Sequence, residues 1–105
     1  MERVINLDGR EVRVQMSADT LRSYRKQFGR DLLRDMLSLQ ENLDMEVIEN
    51  LFYVVAAAAD PDIPPIEEWL QGFSPFALYN GAAELMKIWR EENKTTTTRK
   101  KKADL

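Results

Sequence analysis

Met45-Glu46-Val47-Ile48-Glu49-Asn50-Leu51-Phe52-Tyr53-Val54-Val55-Ala56-Ala57-Ala58-Ala59 decides the fold. Val47, Ile48, Leu51, Phe52, Val54, Val55 and the four alanines leave only a narrow polar strip of Glu46, Glu49, Asn50 and Tyr53. A helix that is apolar around most of its circumference is buried on several sides. The alanines let neighbouring backbones come close. The stretch therefore reads as a central helix around which the rest of the chain packs. Asp44 is placed to cap its start. Asp60-Pro61-Asp62-Ile63-Pro64-Pro65 ends it, because proline cannot continue the hydrogen-bond ladder.

Toward the C-terminus, Ile66–Gln71 reads as one or two helical turns. Pro65 suits a first helical position, and Glu67 and Glu68 suit the positive end of the dipole. Trp69 and Leu70 point inward, and Gly72 ends the segment. Ser74 then caps a last helix that runs to about Glu92. Leu78, Ala82, Leu85 and Trp89 make one stripe, with Tyr79, Ala83 and Met86 beside it. That apolar face is wide for an end helix: it packs on the core twice or leaves surface for a partner. Residues 94–105, rich in Thr and Lys, are expected to form a flexible basic tail.

Toward the N-terminus, Asp31–Gln40 reads as a helix with Leu32, Leu33, Met36, Leu37 and Leu39 on its apolar side. Asn42 breaks it. Before it, Ser17 caps a helix over Ala18–Phe28 that ends at Gly29, a residue suited to the left-handed region. Leu21, Tyr24 and Phe28 share one face. The chain starts as a β-hairpin. Asp8-Gly9 is a strong two-residue turn signal, and Val12, Val14 and Met16 alternate with Glu11, Arg13 and Gln15. An isolated hairpin is marginal in water, so its apolar face must rest on helices. The expectation is a mostly α-helical single domain over 1–93, an N-terminal β-hairpin followed by about five helices.

Composition narrows the function. The chain has 105 residues, 44% apolar and 31% charged, with neither Cys nor His. Thiolate and imidazole metal sites, Cys nucleophiles and His-based acid–base schemes are excluded. Ser17, Ser23, Ser38 and Ser74 have no His to activate them. Adjacent carboxylates such as Glu67-Glu68 and Glu91-Glu92 diverge by about 100° on a helix and do not converge as an acid–base pair. Asp60-Pro61-Asp62 lacks the Gly and terminal Glu of a calcium loop, and no glycine-rich phosphate loop occurs. No enzyme activity, metal or cofactor is expected. The longest near-apolar run, Leu51–Ala59, is nine residues, whereas a membrane span needs about 20. The opening Met1-Glu2-Arg3-Val4 is no secretory signal. A cytoplasmic location follows as an expectation.

Charge is arranged in blocks. Residues 1–36 carry a net +2, residues 37–92 a net −9 and residues 93–105 a net +4. The acidic body argues against a phosphate-binding core. Arg22, Arg25, Lys26, Arg30 and Arg34 recur at helical spacing and could contact nucleic acid together with the tail. Asp19, Asp31 and Asp35 interleave with them, which favours a solvated face with intrahelical pairs. Opposite charge blocks also suggest self-association. Trp69, Phe73, Phe76, Tyr79 and Trp89 cluster in the last third, and Phe73 and Phe76 flank a Gly-Ser-Pro turn. Partly exposed aromatics of this kind mark protein interaction sites, so these five are the candidate partner-binding residues.

The order of these features resembles one family. The Asp8-Gly9 hairpin leads into Ser-Ala-Asp-Thr-Leu-Arg-Ser-Tyr-Arg-Lys-Gln-Phe-Gly-Arg-Asp (17–31). An alanine-rich helix follows, then Ile66-Glu67-Glu68-Trp69-Leu70, Glu84-Leu85-Met86-Lys87-Ile88-Trp89 and a Thr/Lys tail. In element order this resembles the tail assembly chaperones of long-tailed (siphovirus-like) phages and prophages of Gram-positive bacteria. The resemblance implies a non-enzymatic morphogenesis factor in the cytoplasm of the bacterial host. Such a factor coats the tape measure protein, keeps it soluble while the tail tube protein polymerises, and is left out of the mature virion. It also implies a longer product made by frameshifting, for which the A-rich codons of Lys100-Lys101-Lys102 would suit a slippery site. The rival expectation is a small nucleic-acid-binding or regulatory phage protein that uses the basic face of residues 22–34 and the tail.

Overall fold

The computed structural model describes residues 2–104, apart from the side chains of residue 40 and of residues 92–104. Two strands, β1 (Glu2–Leu7) and β2 (Arg10–Gln15), precede five helices: α1 (Ala18–Phe28), α2 (Leu32–Glu41), α3 (Met45–Ala59), α4 (Ile66–Leu70) and α5 (Pro75–Asp104).

The strands pair antiparallel with Ile5 opposite Val12 and Leu7 opposite Arg10. Asp8 (φ 58°) and Gly9 (φ 90°) both take positive φ, as a type I′ turn demands. The Asn6 side chain accepts the Gly9 N–H at 2.7 Å and holds the turn. Ile5, Leu7, Val12, Val14 and Met16 form the buried face of the hairpin. Two arginines frame that face. Arg3 reaches Glu91 on α5 at 3.5 Å. Arg10 donates to the Gly72 carbonyl at 3.3 Å and lies 4.6 Å over the Phe73 ring.

Most caps stand where the sequence puts them. Ser17 accepts from the Asp19 N–H, while the Thr20 hydroxyl accepts from the Ser17 N–H, closing a capping box. Gly29 takes the left-handed conformation that ends α1. Asp44 caps α3, and Ser74 accepts from the Phe76 N–H at the start of α5, while Asp31, expected as the first residue of its helix, instead caps α2.

The core forms around α3, which packs against β2, α1, α2, α4 and α5. Val47, Ile48, Leu51, Phe52, Val54, Val55 and Ala56 are all buried. Two residues of its expected polar strip, Asn50 and Tyr53, are buried as well. Tyr53 donates to the Pro64 carbonyl at 2.7 Å and meets Trp69 edge-on, so its hydroxyl ties the proline segment to α3.

α5 turns its Ala77, Leu78, Leu85 and Ile88 side inward. Its core stripe passes through Gly81 and Ile88, not through Ala82 and Trp89 as the spacing alone suggested. Gly81 has no side chain, so the α5 backbone rests directly on Leu7 and Phe52. The sequence ends this helix near Glu92, whereas the backbone continues as helix to Asp104. The stretch from 82 to 105 contains no Pro or Gly to break it. The side chains of the expected tail, residues 94–105, lie outside the described residues. No described helix is long and apolar enough to cross a membrane.

Candidate docking groove between two helices

α2 packs on α1 and α3, and α5 packs on α3 and β1. Between α2 and α5 the surface opens into an apolar groove with two chambers. The first, about 310 Å³, is lined by Leu39, Leu43, Tyr79, Ala82, Ala83 and Met86 above a floor of Ile48 and Leu51. The second, about 420 Å³, is lined by Leu33, Met36, Leu37, Leu39, Met86, Trp89 and Arg90. Leu39 and Met86 belong to both and form the waist.

The groove walls hold large apolar side chains in water. Leu33 is 52% exposed, Leu37 65% and Leu43 61%. Tyr79 is half-exposed. Phe76, at 78% exposed, stands one turn before Tyr79 on the stripe that continues through Ala83 and Met86. Isolated exposed leucines need no explanation, but a contiguous set lining a concavity marks an interaction site.

The five candidate aromatics divide. Trp69 is buried against Tyr53, with Phe73 packed on its ring at 4.7 Å. Phe73 lies under the Arg10 guanidinium. These two seal the hairpin to the α4–α5 turn. Tyr79 and Trp89 line the groove, one in each chamber, whereas Phe76 lines neither chamber and stands exposed one turn before Tyr79. The α2 wall was not among the candidates. Its leucines read as ordinary core residues because Leu32, Leu33, Met36, Leu37 and Leu39 fit one apolar side. The available signal was the width of that side, about 160° around the helix axis, which exceeds what one contact covers.

A buried polar knot holds α2 in place. Asp35 is 4% exposed. It accepts the Tyr24 hydroxyl at 2.7 Å and a bidentate pair from Arg30, Nε at 2.8 Å and Nη2 at 2.9 Å. The reading of a solvated, paired face holds at Arg30, which stays exposed while it pairs with Asp35, and is corrected at Asp35, which faces inward. Arg22 pairs with Asp19 at 3.2 Å on the surface. The Arg30 hydrogen bonds hold the Asp35 carboxyl below its ordinary range, and the Tyr24 hydroxyl adds to this against the effect of burial. Burial, followed by the Asp35 contact, pushes the Tyr24 phenol well above its ordinary value. Arg30 is likewise driven further into its charged form by Asp35.

Among the described residues no group of three or more acidic side chains is arranged to hold a metal ion. The chain matches no family model, and no curated protein and no solved structure shows significant similarity to it.

Proposed function

We propose that this protein is a non-catalytic binding protein whose α2–α5 groove receives an amphipathic helix of a much longer partner, as a phage tail assembly chaperone receives the tape measure protein. The observation that carries the reading is the continuous apolar groove walled by Leu33, Leu37, Leu43, Tyr79, Met86 and Trp89. An amphipathic helix buries its apolar stripe in such a groove. The occupant is a helix with charged flanks, because charges of both signs border the apolar walls: Glu41 and Asp44 beside Leu43, Arg90 beside Trp89.

Tape measure proteins are long and helical, and repeated weak docking along one chain adds up by avidity. The net −9 of residues 37–92 keeps a complex with an aggregation-prone partner soluble. On this reading the protein works in the cytoplasm of the bacterial host, needs no cofactor, and is absent from the finished virion.

Co-expression with a tape measure protein tests it. The expected result is a larger soluble fraction of the partner and co-purification that persists at high salt. Equal partner solubility with and without this protein would overturn the reading. Retention on DNA at low salt, lost steeply as salt rises, would point to the nucleic-acid alternative.

A further inference from the structure

The groove is shaped and charged as well as apolar. Building on its proposed role as a docking site, we infer that it recognises a helix by two large apolar anchors, seven residues apart, and fixes the direction in which that helix lies.

The spacing comes from α5. On α5 the first chamber is lined by residues between Tyr79 and Met86 and the second by Met86, Trp89 and Arg90, so their midpoints lie roughly six residues apart, or about 9 Å of helix rise. On an occupant helix, residues i and i+4 are about 6 Å apart along the axis and residues i and i+7 about 10.5 Å. The i, i+7 pair fits the two chambers more closely and keeps both side chains on one face. The waist at Leu39 and Met86 leaves room between them for a smaller residue.

The direction comes from charge. On α2, Arg34 and Glu41 are seven residues apart on the outer rim beside Leu37. Arg34 lies toward the second chamber and Glu41 toward the first. Asp44 adds to the acidic end next to Leu43. Arg90 lines the second chamber and exposed Lys87 precedes it by one turn. The first chamber therefore has an acidic rim and the second a basic one. A helix with basic residues beside its first anchor and acidic residues beside its second satisfies both rims, and its positive N-terminal end then meets Glu41 and Asp44. It runs parallel to α5 and antiparallel to α2.

Synthetic 18-residue peptides test this by fluorescence anisotropy on the full chain. One carries Phe at i and i+7 with Lys in its first half and Glu in its second. A second has the charges reversed, and a third has Phe at i and i+4. The first is expected to bind at least tenfold more tightly than either of the others, with the charge preference shrinking as salt rises. The reversed peptide is the better isolated helix, because its charges suit its own dipole. A preference for the first peptide therefore cannot come from helicity. Ala83→Arg, at an exposed position of the first chamber, and Leu37→Glu, in the second, are each expected to weaken binding tenfold with little change in melting temperature. Equal affinities, a preference for the reversed peptide, or unchanged binding in both variants overturns the inference. So does a concentration-dependent dimer that both variants dissolve, since a second copy would then be the occupant. If a tape measure protein co-purifies while the peptides bind alike, this inference fails and the proposed function stands. If the peptides discriminate but that protein does not co-purify, the reverse holds.

Discussion

Replacing Gly81 by Ala reverses the usual sign of a glycine-to-alanine change in a helix. In an exposed helix interior, Ala is favoured over Gly by about 1 kcal/mol. At Gly81 the new Cβ would run into Leu7 Cδ2, with Phe52 Cζ at 3.1 Å and Ile5 Cγ2 at 3.7 Å. All three neighbours are at most 2% exposed, so none can swing into solvent. Relief has to come from moving α5 off the hairpin or forcing Leu7 out of its rotamer. Overpacking of a tight core costs about 1–3 kcal/mol, and three buried walls put this site toward the upper end. Subtracting the propensity gain leaves a net destabilisation of about 1–2 kcal/mol, a fall in melting temperature of roughly 5–15 °C for a domain of this size. Urea denaturation followed by circular dichroism measures it. Leu7→Ala serves as the partner in a double-mutant cycle, because it removes the methyl group that clashes. In that background Gly81→Ala should be less harmful by about 1 kcal/mol or more, the size of the relieved overpacking. A Gly81→Ala protein as stable as wild type, or the same penalty in both backgrounds, would refute the direct seating of α5 on Leu7.

Tyr24→Phe removes one hydrogen bond from a buried carboxylate and should cost about 1–2 kcal/mol in urea unfolding. Asp35 is depressed in the folded state, so its stabilisation is complete above the ordinary carboxylate value near pH 4 and is lost as pH falls below it. The stability gap between wild type and Asp35→Asn, measured by urea midpoint, should therefore be constant near neutral pH and close below about pH 4. Ser17→Ala opens the capping box of α1 and should cost about 1 kcal/mol. Phe76→Asp, at an exposed position, should leave the melting temperature within a few degrees of wild type and abolish co-purification with a tape measure protein. Retained co-purification would remove Phe76 from the docking surface.

The elements of the fold were legible because their signals are local. Asp8-Gly9 forces positive φ at two positions, Ser17 and Asp44 offer oxygens to unpaired N–H groups, and Pro61, Pro64 and Pro65 end the central helix. The groove was legible only on one side. Tyr79 and Trp89 stood out as aromatics on a helix with too wide an apolar face. Leu33 and Leu37 did not, because periodicity says that a face is apolar and not which part of it the neighbours cover, and Leu43 lies in the loop after α2, outside any periodic face. Trp69 and Phe73 were drawn into the candidate set by chemistry alone. Only the fold shows that Tyr53 and Arg10 already occupy them. Asp35 was hidden for a related reason. An acidic residue among basic ones reads as solvated until Tyr24 and Arg30, distant by eleven and five positions, are seen to converge on it.

The burial of Asp35 and the exposure of Leu33 and Leu37 are one structural fact. Around α2, the buried direction runs between Asp35 and Leu32, about 60° apart, while the apolar arc from Leu39 to Leu37 is centred about 90° away. Rotating α2 by that angle would bury its leucines and return Asp35 to water, which is the arrangement that hydrophobic burial alone prefers. The fold does the opposite. It desolvates a carboxylate, which is tolerable only because Tyr24 and Arg30 satisfy it, and leaves two leucines more than half exposed. A local rule broken with a dedicated compensation nearby is the pattern of a functional site. The Tyr24–Asp35–Arg30 contacts thus hold α2 at this rotation, and the leucine wall of the groove stays turned outward to solvent as a consequence.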